Sequence, residues 1–540
     1  MVRIAIIEKE KCHPIECGNF LCQRLCPINR TGEDCISTSP ENKALIDEIL
    51  CTGCGICTKR CPFGAIHIIN LPDSLNKDPI HTYGQNEFQL FSLPVPKFGK
   101  IVGILGRNGI GKSTAIKILS GTLKPNLGDY NNENTNYEQV INYFKGTEAQ
   151  GYFEKVKNGE IRIAYKPQTI DNIGKNAKGI VRDLLKKIDE KKIFDEVVEV
   201  LELESVLDNE ISKLSGGEMQ RVAIAATAMK DANVYFFDEP SSYLDIKQRI
   251  KVSKYLRSLA NENTAVMIIE HDLIILDYMT DLIHIMFGKQ ACFGIVSQPR
   301  STRNAINVYL SGFLREENIR FRDSEIKFIE HQPIESANIE KLTGWQNLKT
   351  KLGNFELTSE KGEINKHDVI GVLGENGIGK TTFVKILAGV TKINEGNIDN
   401  EIKVAYKPQF IDTNSDEIVR IILHDAIEKY ENQLINPLNM TPLLDKKLNE
   451  LSGGELQKVA ICKCLSEDVQ LHLMDEPSAY LDVEQRLIIS KVIRNFMELK
   501  GRSAIVIDHD LLLLDYLSDR MMVFEGEPGK KGNITGPFSM

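Results

Sequence analysis

Two largely apolar runs, at 100–105 and 369–373, feed directly into glycine-rich turns and then into helical patterns. Each predicts a buried strand, a tight loop and a helix. Two further apolar runs, 234–237 and 471–474, stop at polar turn residues and predict strands buried on both faces. The expected fold class is α/β, multidomain, with a phosphate-binding layer built twice. No apolar run approaches the roughly 18 to 20 residues of a spanning helix.

The duplication is explicit in the motifs. Gly-x-Asn-Gly-Ile-Gly-Lys occurs at 106–112 and 374–380, Tyr-Lys-Pro-Gln at 165–168 and 406–409, and Leu-Ser-Gly-Gly-Glu at 214–218 and 451–455. In both copies the serine of the last motif precedes the aspartate of Asp-Glu-Pro by 23 positions. The copies differ between the lysine and the glutamine, 56 positions apart in the first and 29 in the second, so the first carries an insert at about 130–160. Val140, Ile141 and Phe144 share a helical face there, Gly146 can end the helix, and Thr147 with Gln150 has capping-box spacing. This predicts a helix–loop–helix, with a plain surface loop as the alternative. Residues 299–328 mix Pro299, Arg300, Arg303, Arg315, Arg320 and Arg322 with acidic neighbours and read as a connector or hinge.

The glycine-rich motifs match the phosphate loop, whose backbone N–H groups wrap phosphates at a helix amino terminus. Gly106, Asn108, Gly109, Gly111, Lys112, Ser113 and Thr114 form the first, and Gly374, Asn376, Gly377, Gly379, Lys380, Thr381 and Thr382 the second. The lysines should bridge β- and γ-phosphates, and the hydroxyls of Ser113 and Thr381 should ligate Mg²⁺. Asp238 and Asp475 end apolar strands where a carboxylate can hold the Mg²⁺ shell, and Glu239 and Glu476 follow as candidate general bases. An acidic pair in that position can also cap a helix. His271 and His509 suit the γ-phosphate, and Gln168 and Gln409 can reach metal and water.

Nine of the twelve cysteines lie before residue 62. Cys51-x2-Cys54-x2-Cys57-x3-Cys61-Pro62 is the bacterial ferredoxin pattern for a [4Fe–4S] cluster, in which three close thiolates hold one cluster and the fourth reaches its neighbour. Cys12, Cys17, Cys22 and Cys26 form a looser version that keeps the terminal Cys-Pro. Crossed ligation would give Cys12, Cys17, Cys22 and Cys61 to one cluster and Cys51, Cys54, Cys57 and Cys26 to the other. Paired structural zinc sites are the alternative. Cys35 has no assigned role and is expected to be a buried thiol, and Cys292, Cys462 and Cys464 are expected in the core. The net charge of −9 weakens any case for broad attraction to nucleic acid or an anionic membrane. The segment 1–11 shows no cleavage signal, which points to a cytoplasmic protein.

Leu-Ser-Gly-Gly-Glu makes both copies, over about 200 residues each, resemble the ATP-binding-cassette superfamily. The resemblance implies an ATPase that turns ATP and water into ADP and phosphate. It implies that Ser215, Gly217, Ser452 and Gly454 contact the γ-phosphate of the opposite cassette, giving two head-to-tail sites that pair Lys112 with Ser452 and Lys380 with Ser215. Asp245 and Asp482 stand in the loops after Asp-Glu-Pro, and Tyr83, Phe88 and Phe355 are candidates for stacking on adenine or, equally, for the core. A ferredoxin-like head on two such cassettes resembles ABC sub-family E, the RNase L inhibitor type, essentially end to end. Glu218, Glu455, Gln248-Arg249, Gln485-Arg486 and the hinge-like run 317–322 carry that likeness, and the wide first cysteine run is closer to archaeal members.

The domains implied are a ferredoxin-like α+β domain at 1–75, cassettes at 76–298 and 329–525, a hinge at 299–328 and a tail or second hinge at 526–540. What the family implies is ribosome recycling. Together with a class-1 release factor or its stalled-ribosome paralogue, a monomer using ATP, Mg²⁺ and two [4Fe–4S] clusters splits ribosomes. It then stays on the small subunit and its RNA with initiation factors, away from membranes. An ATP-coupled redox enzyme, a transporter subunit and a DNA-repair ATPase are the rivals. No flavin or nicotinamide fingerprint, membrane segment or long coiled coil favours them.

Overall fold

The computed structural model describes residues 3–47, 50–70, 78–131, 135–170, 177–322, 325–326, 340–387, 389, 391–399, 402–408 and 415–539. They form two compact units. The first comprises Met1–Ser242, Val252–His271 and Leu276–Glu325, and the second Tyr243–Lys251, Asp272–Ile275 and Ile326–Met540.

The first unit begins with a small α+β head. Strand Arg3–Ile7 pairs antiparallel with Ile66–Asn70, and Ile36–Thr38 with Ala44–Ile46. Of three short helices, Leu21–Leu25, Pro27–Arg30 and Ile56–Arg60, the first buries Cys22 and the last Cys57. Its core mixes thiols with aliphatic side chains, Cys22, Cys26, Cys35 and Cys57 among Ala5, Ile7, Ile36, Ile46 and Ile66.

The cassette of this unit is a parallel sheet ordered Ile163–Lys166, Val234–Asp238, Ala265–Ile269, Ile101–Leu105, Leu282–Lys289. Every residue of the middle three strands is buried, which is why they read as unbroken apolar runs rather than alternating ones. Two helices, Tyr137–Tyr143 and Glu148–Lys157, occupy the inserted stretch, and Val140, Phe144, Tyr152 and Phe153 enter the core shared with Ile104 and Ile116. The Tyr152 hydroxyl donates to Leu119 O at 2.7 Å. The capping box lies elsewhere than expected. Asn136 and Gln139 cap the first helix reciprocally, whereas the Thr147 hydroxyl donates back to Phe144 O at 2.7 Å and Gln150 Oε1 accepts from Gly146 N at 2.8 Å.

Much of the expected connector is folded onto the first unit. Helix Thr302–Ser311 packs on strand Leu282–Lys289 and ends at Gly312, and the hairpin Phe313–Leu314 with Ile319–Arg320 follows. Two arginines of this stretch are partnered within it. Arg300 meets Glu316 at 3.0 Å and Glu317 at 2.6 Å, and Arg322 donates to Tyr309 O at 2.9 Å while stacking on Tyr309 and Phe321. Of that stretch, 323–324 and 327–328 lie outside the described residues.

The second unit holds a nine-stranded sheet ordered Glu395–Ile398, Lys341–Leu352, Phe355–Asn365, Lys531–Ser539, Arg520–Glu527, Val369–Gly374, Ser503–Ile507, Leu471–Asp475, Val404–Lys407. Trp345 is fully buried in its core, with its indole N–H on Ser359 Oγ at 2.8 Å. The stretch 526–540, expected as a tail or second hinge, holds a strand of this sheet. Lys531–Ser539 pairs antiparallel with Arg520–Glu527 and parallel with Phe355–Asn365, and Ile534 enters the core.

Candidate nucleotide sites and a thiol-lined head

In the first phosphate loop, Gly109 and Gly111 take left-handed φ values of 71° and 91°. A Cβ on Gly111 would stand 2.5 Å from the Phe88 ring. The second loop repeats this, with Gly377 at 76°, Gly379 at 94° and the Phe355 ring 2.8 Å from the Cβ position of Gly379. Phe88 and Phe355 therefore underlie equivalent glycines and pack against the two cores, the core alternative for these rings. Tyr83 differs from both, being half exposed with its hydroxyl 3.0 Å from Thr114 Oγ1.

The lysines open the helices Lys112–Leu119 and Lys380–Leu387. Lys112 Nζ donates to Gly106 O at 2.8 Å, Arg107 O at 2.7 Å and Asn108 Oδ1 at 3.3 Å. Lys380 Nζ donates to Gly374 O at 2.7 Å and to His509 Nε2 at 3.2 Å. Burial brings Lys380 down to about 8 against the pull of Glu476, Asp245 and Asp475. It also keeps the His509 imidazole well below its usual range, assisted by Lys380 and Arg249, so this histidine is neutral.

Each strand-end carboxylate is bonded by the hydroxyl after the loop lysine. Thr381 Oγ1 donates to Asp475 Oδ2 at 2.7 Å, and Ser113 bonds Asp238. Burial and the adjacent Glu239 raise Asp238 to about 6, and burial raises Asp475. Glu239 and Glu476 both adopt left-handed backbone, φ 48° and 46°, a strained turn that directs the side chain back toward the site. Although burial opposes it, the hydrogen bond and charge of His271, with Lys112 and Ser242, hold Glu239 at about 2. Gln168 Nε2 donates to Glu239 Oε1 at 2.8 Å, and His271 Nε2 lies 3.5 Å from the same oxygen. In the second copy His509 Nε2 is 3.8 Å from Glu476. Gln409 lies outside the described residues.

The geometry adds residues that the motif reading passed over. Lys166 donates to Asp238 O at 2.8 Å and Glu239 O at 3.2 Å, and Lys407 to Asp475 O at 2.7 Å and Glu476 O at 3.1 Å. Glu270 accepts from Ser241 N at 2.9 Å, and Asp508 from Ser478 N at 3.0 Å, pinning the turn after each Asp-Glu. Both were detectable as coincidences between copies, a lysine before Pro-Gln and an acid before His-Asp.

Ser215 and Ser452 are helix N-caps. Glu218 Oε2 accepts from Ser215 N at 2.8 Å, and Glu455 Oε2 from Ser452 N at 2.9 Å, closing capping boxes at Gly216–Ala228 and Gly453–Ser466. Gly217 and Gly454 lie in those first turns, amides facing forward as an anion requires. Asp482 caps Val483–Lys500 through Gln485 N at 2.9 Å. Within the second unit, Asp245 accepts from Gln248 N at 2.9 Å and from Asn376 N in the phosphate loop at 3.2 Å.

In the head, the thiols divide into two neighbourhoods. Burial pushes Cys22 up to about 12, and the thiols beside it are Cys12, Cys17 and Cys61. Cys57 is raised by burial beside Cys51 and Cys54. Cys35, buried as expected, lies against Cys26 and Cys51, joining Cys26 to that second group. Among the described residues no three His, Cys, Asp or Glu side chains converge on a single ion.

Family comparisons agree with this anatomy. Models match at 91–242 and 357–479 for the ABC transporter family, at 2–34 for a possible Fer4-like domain in RNase L inhibitor, and at 44–67 for a 4Fe-4S binding domain. An uncharacterised ABC transporter ATP-binding protein of Methanocaldococcus jannaschii is 52% identical over 100% of this chain and 90% of its own. Translation initiation factor RLI1 of Saccharomyces cerevisiae is 42% identical over 100% and 91%. A model of ribosome-bound archaeal Pelota and ABCE1 superposes with a TM-score of 0.94 at 50% identity, over 100% of this chain and 91% of that one. With its iron–sulfur head and two ATP-hydrolysing cassettes, the chain belongs to ABC sub-family E, the RNase L inhibitor family.

Proposed function

We propose that this protein is a cytoplasmic, ATP-driven ribosome-recycling factor, working as a monomer beside a class-1 release factor or its stalled-ribosome paralogue. It parts the subunits and stays on the small subunit, with its RNA and initiation factors, into the next round of initiation. The observation that carries this reading is the full-length likeness to archaeal ABCE1 described on the ribosome with Pelota. In this reading the head spans 1–75, the cassettes 76–298 and 329–525, and the helix pair at about 130–160 faces the small subunit with the chain around 299–328. The strand Lys531–Ser539 belongs to the second cassette.

Each cassette binds Mg²⁺–ATP, with the loop amides and Lys112 or Lys380 on the phosphates. Ser113 with Asp238 and Gln168, and Thr381 with Asp475, would ligate Mg²⁺, and the motif assigns Gln409 the same role in the second copy. Tyr83 offers its exposed ring to the base. Glu239 and Glu476 accept the proton of the attacking water. Glu239 is ionised throughout the physiological range, and phosphate charge arriving beside it raises its proton affinity toward that of a working base. His271 and His509 hold the γ-phosphate, and the signature serines bind at their helix amino termini. Cys12, Cys17, Cys22 and Cys61 would hold one [4Fe–4S] cluster and Cys26, Cys51, Cys54 and Cys57 a second, which would cross-link the head into a rigid body.

Density-gradient profiles of ribosomes with anaerobically purified protein and release factor test this reading. ATP should shift ribosomes to subunits, and Glu239→Gln/Glu476→Gln should bind ATP, turn over at least about 100-fold more slowly and remain on small subunits. Intact ribosomes in every lane, despite ATPase activity and filled clusters, would overturn it.

A further inference from the structure

Each phosphate loop is backed by a strand hairpin whose register fixes which residues correspond between the copies. Phe88 and Leu90 lie against the Cβ position of Gly111, and Phe355 and Leu357 against that of Gly379. In the first hairpin, strands His81–Thr82 and Gln89–Leu90 pair His81 with Leu90 and Thr82 with Gln89. In the second, Thr350 pairs with Leu357, Lys351 with Glu356 and Leu352 with Phe355. His81 therefore corresponds to Thr350, and Tyr83, whose N–H donates to Phe88 O at 3.3 Å, corresponds to Leu352. The turns differ as well, four residues at 84–87 against two at 353–354.

At these paired positions the copies offer different chemistry. The Tyr83 hydroxyl, 3.0 Å from Thr114 Oγ1, sets the tyrosine beside the first turn of helix Lys112–Leu119. The buried His81 ring meets it edge to face with centroids 4.9 Å apart, and Phe88 lies at 6.3 Å. Neighbouring rings thus fix the orientation of Tyr83 while 51% of the residue stays open. Leu352 is almost as open, 45% exposed, but has no π-face, and a buried threonine, Thr350, takes the place of the imidazole. A nucleotide with its phosphates on the loop amides runs its ribose and base out past that first turn, toward these side chains. Stacking on an aromatic ring strengthens the binding of a base by about tenfold, and more for the larger purine surface, whereas an aliphatic side chain gives only the smaller dispersion contact.

We propose that the two cassettes differ in what they require of a nucleotide: the first grips a purine base through Tyr83, whereas the second, with Leu352 in that place, holds ribose and phosphates and accepts pyrimidine nucleotides nearly as readily. Mixed occupancy follows, with ATP at the first loop and another nucleoside triphosphate at the second. This difference rests on the reading that Tyr83 takes the base and is independent of ribosome splitting, so its failure would leave the recycling reading untouched.

Both side chains are about half exposed, and their replacement leaves the two cores intact. Titration of the full, cluster-loaded chain with Mg²⁺–ADP and Mg²⁺–UDP provides the test, with the second loop silenced by Lys380→Ala or the first by Lys112→Ala. At the first loop, ADP should bind at least about tenfold tighter than UDP. Tyr83→Leu should shrink that advantage to about threefold or less, mainly by weakening ADP, and Tyr83→Phe should keep it. At the second loop, ADP and UDP should bind within about threefold of each other, and Leu352→Tyr should open a gap of at least about fivefold in favour of ADP. An ADP advantage of the same size at both loops, or a Tyr83→Leu chain that loses ADP and UDP affinity alike, would overturn the proposal.

Discussion

Lys166 shows how one buried side chain holds the turn that carries the proposed general base. Its two hydrogen bonds end on the carbonyls of Asp238 and Glu239, the residues that bracket the strained turn at φ 48°. Burial costs the ammonium, and Lys166 is lowered to about 8 although Asp238, Glu239 and Glu270 pull the other way. The sign of the pH effect follows. Below the folded value the penalty is fully present. Between about 8 and the unfolded value near 10.4 the unfolded chain holds the extra proton, so stability rises with pH. Lys166→Met should abolish that rise, removing up to about 3 kcal/mol of the gain that wild type shows between pH 7 and 10 in denaturant titrations. Because two buried carbonyls lose their donor, ATP turnover should fall by about tenfold or more while nucleotide affinity changes less. Unchanged kcat in the variant would remove Lys166 from the positioning machinery.

At the scale of elements, the strand Lys531–Ser539 supports a phosphate loop from beneath. A Cβ on Gly532 would stand 2.2 Å from Ile378 O, the loop residue between Gly377 and Gly379, just as one on Gly294 would stand 2.0 Å from Ile110 O. Backbone must move in either case. Gly532→Ala should therefore weaken ATP at the second loop by about tenfold or more, although residue 532 touches no phosphate. Titrating Mg²⁺–ATP into Gly532→Ala with the first loop silenced by Lys112→Ala checks this, and unaltered affinity would show that the loop adjusts freely. Sequence alone gave no hint of this role. The stretch 526–540 is short, glycine- and proline-bearing and only weakly alternating, so it read as a tail, and a strand's partner is a long-range fact that no local pattern carries. The central strands were legible for the opposite reason, since burial on both faces leaves an unbroken apolar signature. Within the expected connector, the partners of Arg300 and Arg322 were not legible, because Glu316, Glu317 and the Tyr309 carbonyl meet them only once the helix and hairpin fold back. Phosphate-loop, Asp-Glu and cysteine residues were legible because their chemistry fixes both residue type and spacing.

For the molecule as a whole, two copies of one cassette are distinguished by what attaches to the first, and the head's attachment depends on how its cysteines are shared. Cys61 follows Cys51, Cys54 and Cys57 in sequence yet neighbours Cys22, while Cys26 is joined through Cys35 to Cys51. If each thiol set holds one cluster, iron content reports the partition. Wild type should bind about eight irons per chain, and Cys22→Ser, Cys57→Ser, Cys26→Ser or Cys61→Ser about four. Double variants discriminate, because changes within one set remove the same cluster and changes across sets remove both. Cys22→Ser/Cys61→Ser should retain about four irons, and Cys57→Ser/Cys61→Ser should approach none. Sequence-local ligation predicts the reverse for these two pairs. Iron and sulfide assays on anaerobically purified chains, with the 4Fe-4S electronic absorption as a second readout, decide between them. Crossed sharing also has a mechanical consequence. Each cluster then ties the segment before residue 30 to the segment after residue 50, so losing either one frees the strand pair Arg3–Ile7 with Ile66–Asn70 that carries Glu8 and His67 at its edge. The single variants should accordingly raise hydrogen exchange across 61–70, while leaving exchange in the second unit's sheet unchanged.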